Sequence, residues 1–166
     1  MDKYKGVKVK GFYTHLPMLK MAVSLTNGPV LEIGCGNGST PILHKLCKNR
    51  LLYTIETDKA WLQKFDVYNS DKHKLVAEDD YEKFDSLIRE TQWDVVLVDH
   101  VAERRNIEIA KLHHAKYVVV HDTQDPRYQF QITFPTYKYS FQYKKLFPWT
   151  TVLSDVSFLN EFSTVS

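Results

Sequence analysis

The sequence predicts an α/β domain built on a mostly parallel, seven-stranded sheet with helices on both faces and a C-terminal antiparallel strand pair. Three observations carry this. From Val30 onward five short β-rich apolar runs, "VLEI", "LLYTIE", "KLVAE", "DVVLVD" and "YVVVHD", alternate with segments of helical character, the pattern of βαβ units. A glycine-rich loop, "GCGNGST", follows the first run and leads straight into a helix start. After Asp122 the text turns aromatic and β-branched, in "YKYSFQYKKLF" and "TTVLSDVSFL" with Pro148 between them, and reads as two closing antiparallel strands.

Taken in order, residues 1–12 form a basic arm and residues 13–28 an N-terminal helix. Leu16, Leu19, Ala22 and Val23 share one face of that helix, and Asn27, Gly28 and Pro29 stop it. Residues 29–123 are the core. Within it, Ser39 or Thr40 caps a helix whose first residue is Pro41, where the missing N–H has no intrahelical partner to lose. Asp58 caps "KAWLQKF", and Asp80 precedes "YEKFDSLIRE", in which Phe84, Leu87 and Ile88 recur at helical spacing. A further helix runs from near Glu103 to about His114. Residues 124–166 supply the closing strands. With no internal repeat, low-complexity tract or linker, the 166 residues read as one domain.

Composition narrows the function. Net charge is only +2, and the 22 basic and 20 acidic side chains are dispersed, so there is no strong nucleic-acid signal. "YKYSFQYKK" interleaves aromatics with lysines, but a half-buried strand produces the same text. Cys35 and Cys47 form neither a CxxC pair nor a disulfide framework, and no leader or membrane-length apolar run is evident. We expect a reduced, cytoplasmic protein with no membrane partner, compatible with a homo-oligomer.

The loop limits the ligand. A backbone that passes close to a ligand and turns sharply into a helix favours glycine, hence Gly34, Gly36 and Gly38. Their spacing is GxGxG; the dinucleotide fingerprint GxGxxG would need a glycine at Ser39. No Lys-Ser or Lys-Thr closes the loop, so a Walker-type phosphate cradle is absent as well.

"VLEIGCGNG" resembles the first motif of class I S-adenosylmethionine-dependent methyltransferases, including the acid Glu32 two positions before the first glycine. The resemblance covers residues 14–123 and implies a Rossmann-like methyltransferase fold. It implies backbone contacts from Gly34, Cys35 and Gly36 to the cofactor, with Gly38 completing the loop and Glu32 acting indirectly or facing the ammonium group. Glu56, ending the second run, matches the family's ribose-binding acid, since one carboxylate can accept both hydroxyls. Asp79 or Asp80 matches the contact to the adenine amine, although Asp80 would serve equally as a helix cap.

The acceptor side is read from the strand ends, because ligands of open α/β sheets bind outside them. Asp99 and His100 end the fourth run, and His121, Asp122 and Thr123 end the fifth. Within the superfamily this is similar to the catechol O-methyltransferase-like and cephalosporin-hydroxylase-like groups, which implies a divalent cation on Asp99, His121 and Asp122. His121 stands where those groups offer an oxygen ligand, so Mn²⁺, Fe²⁺ or Zn²⁺ would suit the set better than Mg²⁺. In the cation-free alternative, Asp99 positions the acceptor and His100 or His121 is the general base. His15 is a second base candidate, with Thr14 as a helix cap. Arg104 and Arg105 read as a solvated helix start, and the adjacent His113 and His114 as surface or packing residues.

The function expected is S-adenosylmethionine-dependent O-methylation of a small molecule or glycan, with a divalent cation as a candidate cofactor. The alternative is a non-catalytic cofactor-binding or regulatory module that works with a partner chain. Base amino methylation is disfavoured, because "DHVAER" stands where an Asn or Asp followed by two prolines and an aromatic would be needed.

Overall fold

The computed structural model describes residues 11–165, without the side chain of Phe12. Most of the expected basic arm, residues 1–10, lies outside the described residues. Seven strands form one sheet in the order β3-β2-β1-β4-β5-β7-β6: β1 (Val30–Ile33), β2 (Leu52–Glu56), β3 (His73–Ala77), β4 (Val95–Val98), β5 (Tyr117–His121), β6 (Tyr139–Tyr143) and β7 (Thr150–Ser154). The first five are mutually parallel, while β7 runs antiparallel to both β5 and β6. The apolar runs became strands because a parallel sheet covered on both faces needs apolar side chains pointing both ways.

Alternation along the strands divides the core into two layers. On one face Val30, Leu97, Val119 and Val152 pack with Met18, Leu19, Ala22 and Val23 of α1 (Leu16–Ser24) and Leu43 of α2 (Ser39–Leu46). On the other, Leu31, Val96, Val98, Val118 and Val120 meet Phe84 and Ile88 of α4 (Tyr81–Glu90) and Ile109 of α5 (Ala102–Ile109). Each large apolar side chain buried this way stabilises the fold by about 1.5–3 kcal/mol relative to exposure. Two short helices, α3 (Lys59–Leu62) and α6 (Phe130–Thr133), cover the rim.

Several local expectations are corrected. The N-terminal helix stops at Ser24, where the Leu25 N–H returns to the Met21 carbonyl. Helix α2 starts at Ser39 behind Gly38 and no side chain caps it, because the Thr40 hydroxyl donates to Glu32 instead. Pro41 therefore sits third in the helix, still inside the turn whose N–H groups lack intrahelical partners. Helix α5 ends at Ile109, short of His114. His113 lies beyond it, stacked on Tyr137 and paired with Asp155. Thr14 caps nothing: the cap position of α1 is His15, without a side-chain bond. Asp58 and Asp80 do cap their helices, accepting from Trp61 N and Glu82 N. No helix among the described residues is long and apolar enough to cross a membrane.

Candidate active site

Strand order reverses between β1 and β4, and the loops leaving their carboxyl ends diverge to opposite faces, which opens a crevice. A cavity of about 480 Å³ lies there, lined among others by Cys35, Gly36, Trp61, Asp99, His121 and Asp122. A second cavity, of about 560 Å³, opens where the chain enters β1 and β2, lined by Lys20, Lys45, Lys48 and Arg50. None of the strand-end acids or histidines reaches it.

The two outer positions of "GCG" use glycine for different reasons. Gly34 has φ +92°, and a Cβ there would stand 2.4 Å from the Asp99 carbonyl oxygen. Its backbone must lie against the end of β4, a demand of the fold itself. Gly36 has no such constraint, since a Cβ would meet nothing closer than the Ser39 hydroxyl at 3.7 Å. Its missing side chain leaves room in the cavity rather than in the packing. The Cys35 N–H between them donates to Glu56 Oε2 at 3.2 Å, while Glu56 Oε1 accepts from the Thr57 and Asp58 N–H groups at 2.8 and 3.0 Å. The second donor on Oε2 is the Cys35 thiol at 3.6 Å, a weak donor that a hydroxyl can displace. Trp61 Nε1 donates to the Cys35 carbonyl at 2.9 Å and ties α3 to the loop.

Beneath the loop, Glu32 is fully buried and accepts from the Thr40 and Thr54 hydroxyls at 2.9 and 2.7 Å. Thr54 in turn meets His73 Nε2 at 2.9 Å, and His73 Nδ1 meets His44 Nδ1 at 3.1 Å. Burial pushes the Glu32 carboxyl up to about 7 against the pull of these hydroxyls, and pushes His73 down to about 4. Thr40 Oγ1 also accepts from Gly36 N, so Glu32 acts on the loop through Thr40.

At the ends of β4 and β5, His121 Nδ1 faces Asp99 Oδ2 at 3.2 Å and His121 Nε2 faces the Thr14 hydroxyl at 2.8 Å. A carboxylate only accepts, which assigns the ring proton to Nδ1 and leaves Nε2 as the acceptor. Burial would raise the Asp99 carboxyl, but His121, Arg105 and His15 together hold it below the ordinary range. The His15 ring packs edge-on against His121 at 4.6 Å. Both His15 nitrogens are buried without a hydrogen-bond partner, and burial lowers its pKa to about 4. Asp122, with φ +59°, turns its carboxylate back over the strand end.

The arginine read as solvated is buried here. Arg105 is 5% exposed and donates to the His100 and His121 carbonyls at 2.7 and 2.9 Å, to Asp99 Oδ1 at 3.0 Å and to Asp122 Oδ2 at 3.4 Å. Nothing in "DHVAERRN" distinguishes it from Arg104, which pairs with Glu108 and Asp85. Only the return of α5 over the ends of β4 and β5 makes the distinction.

The structure thus brings Gly36, Cys35, Asp99, His121 and Asp122 to one cavity, with His15 behind His121. His100 lies apart, its ring stacked on Phe84 at 6.0 Å and its pKa lowered to about 3 by burial. Asp79 and Asp80 are exposed between β3 and α4, and Gly38 is the cap residue of α2. Trp61 and Arg105 are the site residues that sequence reasoning missed.

No family model matches the chain, and no curated protein sequence does. Solved structures do. MycE, a methyltransferase of the mycinamycin biosynthetic pathway solved with Mg and SAH, matches with a TM-score of 0.59 at 16% identity, over 87% of this chain and 47% of that one. The N-methyltransferase NodS from Bradyrhizobium japonicum WM9, solved with S-adenosyl-L-homocysteine, matches at 0.54 and 14% identity, over 84% and 83%. An rRNA methylase from Streptococcus thermophilus matches at 0.57 and 15%, over 81% and 91%. The chain thus has the Rossmann-like methyltransferase fold, and it spans about half the length of MycE.

Proposed function

We propose that the chain is an S-adenosylmethionine-dependent methyltransferase acting on a hydroxyl of a small molecule or glycan. One observation carries the cofactor half of this reading: Gly36 lines the cavity with its side-chain space open, although neither φ nor packing asks for glycine there. Such an opening beside the loop suits a ligand laid along the backbone. Gly34 and Gly38 belong to the turn, the Cys35 carbonyl keeps one lone pair beside its bond from Trp61, and a ribose hydroxyl can replace the weak Cys35 thiol donor on Glu56 Oε2. Asp80 is already engaged by its helix, which leaves Asp79 as the carboxylate for the adenine amine. Glu32 acts through Thr40. The cofactor supplies a methyl group on an already activated sulfonium carbon.

The chain's own residues then have to hold the acceptor and take its proton. Asp99 fixes His121 with Nε2 as proton acceptor, and Arg105 fixes Asp99. Thr14 occupies the hydrogen-bonding position on Nε2, and its hydroxyl has an alternative partner in the Gly11 carbonyl at 3.2 Å. An acceptor hydroxyl can therefore take the place of Thr14 on His121 without stranding the threonine. His100, packed on Phe84, plays no part in this scheme.

Calorimetry of the wild type and Gly36→Val with S-adenosylmethionine tests the reading. We expect wild-type binding in the micromolar range, weakened at least tenfold by the valine while the denaturation midpoint is retained. No wild-type binding at millimolar cofactor would end the proposal. Incubation with methyl-labelled cofactor and a panel of polyols, phenols, glycans and RNA then identifies the acceptor. Cofactor binding with no labelled product from any acceptor would favour the regulatory module.

A further inference from the structure

The buried guanidinium of Arg105 bears on what else the site holds. It crosses from α5 to the ends of two strands and lies over the Tyr128 ring, 4.7 Å from its centroid. Its two carbonyl contacts fix its plane, and its remaining donors point at the two carboxylates that would have to share a divalent cation. Both acids are turned toward the arginine. Asp99 Oδ1 faces Arg105 and Oδ2 faces His121, while Asp122 Oδ2 faces Arg105 and Oδ1 stands 3.7 Å from His121 Nε2. A dication on Asp99, His121 and Asp122 would displace these contacts and stand against a fixed positive charge in a poorly solvated crevice. The donor set implied by the resemblance therefore does not fit a cation while Arg105 is in place.

We propose that Arg105 is the built-in cation of this site: its guanidinium occupies the seat between Asp99 and Asp122, offsets one of their two charges while donating to both, and makes the protein independent of a divalent metal there. The inference bears on the same site as the methyltransferase reading but does not need it, because its test reads cation binding and not methyl transfer. His15, Asp99 and His121 also bring one ligand atom each within 4.8 Å of one another. That set shares Asp99, so the same guanidinium opposes it.

The experiment titrates the full chain with Mn²⁺, followed by calorimetry and by electron paramagnetic resonance of the free ion. The wild type should bind no Mn²⁺ at the strand ends below 1 mM, on the order of the weakest specific affinities. Arg105→Ala and Arg105→Gln, the latter keeping a donor for the two carbonyls, should each bind one ion at least tenfold more tightly, and Asp99→Asn added to either should abolish it. Wild-type binding that Asp99→Asn or His15→Ala removes would overturn the proposal. So would a folded Arg105 variant that takes no ion. If neither variant folds, the wild-type Arg105 Nε–H resonance decides. It should stay sharp in the presence of Mn²⁺, and selective paramagnetic broadening would count against the proposal.

Discussion

Glu32 shows how a single residue can couple the loop to pH. Its carboxyl, raised to about 7 by burial, favours the fold most when protonated. That contribution is complete below the ordinary value of 4.5 and is lost as pH rises through about 7. At 1.36 kcal/mol per unit the span is about 3 kcal/mol. Glu32→Gln should therefore flatten the dependence of stability on pH between 5 and 8, measured as urea midpoints across that range; an unchanged slope would show that Glu32 does not titrate there. Asp99 makes a second residue-scale prediction. Asp99→Asn keeps an oxygen for Arg105 but turns an amide NH2 toward His121 Nδ1, which moves the ring proton to Nε2, and methyl transfer should fall by roughly 10²–10⁴-fold with cofactor affinity little changed. Single-turnover kinetics separate the two. Glu32, Glu56 and Asp99 stand out in the sequence because each is an acid at the end of, or within, an apolar run, where acids are costly without a purpose. Arg105 could not. Its burial depends on where α5 lands, and its neighbour Arg104 has the same local text with a different fate.

At the level of elements, strands were the most legible and helix ends the least. The five parallel strands are short runs rich in Val, Ile, Leu and Tyr, and the observed bounds fall within one residue of the runs at either end. Helix α2 began two residues before Pro41 because Glu32, buried below it, drew the threonine that would have been its cap. Tertiary burial outweighed a local capping preference worth about 1 kcal/mol. Where no buried acid competes, the cap forms. Asp80→Ala should lower the urea midpoint by removing the acceptor for Glu82 N, without changing cofactor affinity. Asp79→Ala should do the reverse. Urea denaturation and calorimetry on the two variants decide which acid serves the helix and which the ligand.

For the whole molecule, the order of β7 and β6 matters most. Strand β7 lies between β5 and β6, with Val152 in one core layer and Leu153 in the other. Neither layer closes until the last thirty or so residues are in place, so long-range contacts must form late. A chain ended after Lys138 would expose an apolar edge at β5, and we expect it to lose cooperative thermal unfolding by circular dichroism and to aggregate. The aromatic text of the closing segment announced strands, but not that the later one would be inserted beside β5, which requires knowing which edge is open. The crossing at Gly34 has a further consequence. Because a hydrogen there in place of a methyl is what allows the first loop to rest on the end of β4, the two sides of the crevice are in hard contact through backbone atoms. Whatever discrimination the site shows among its visitors then falls to side chains that stand outside this backbone contact, such as Trp61 at the cavity wall, and variants at Trp61 should alter preference.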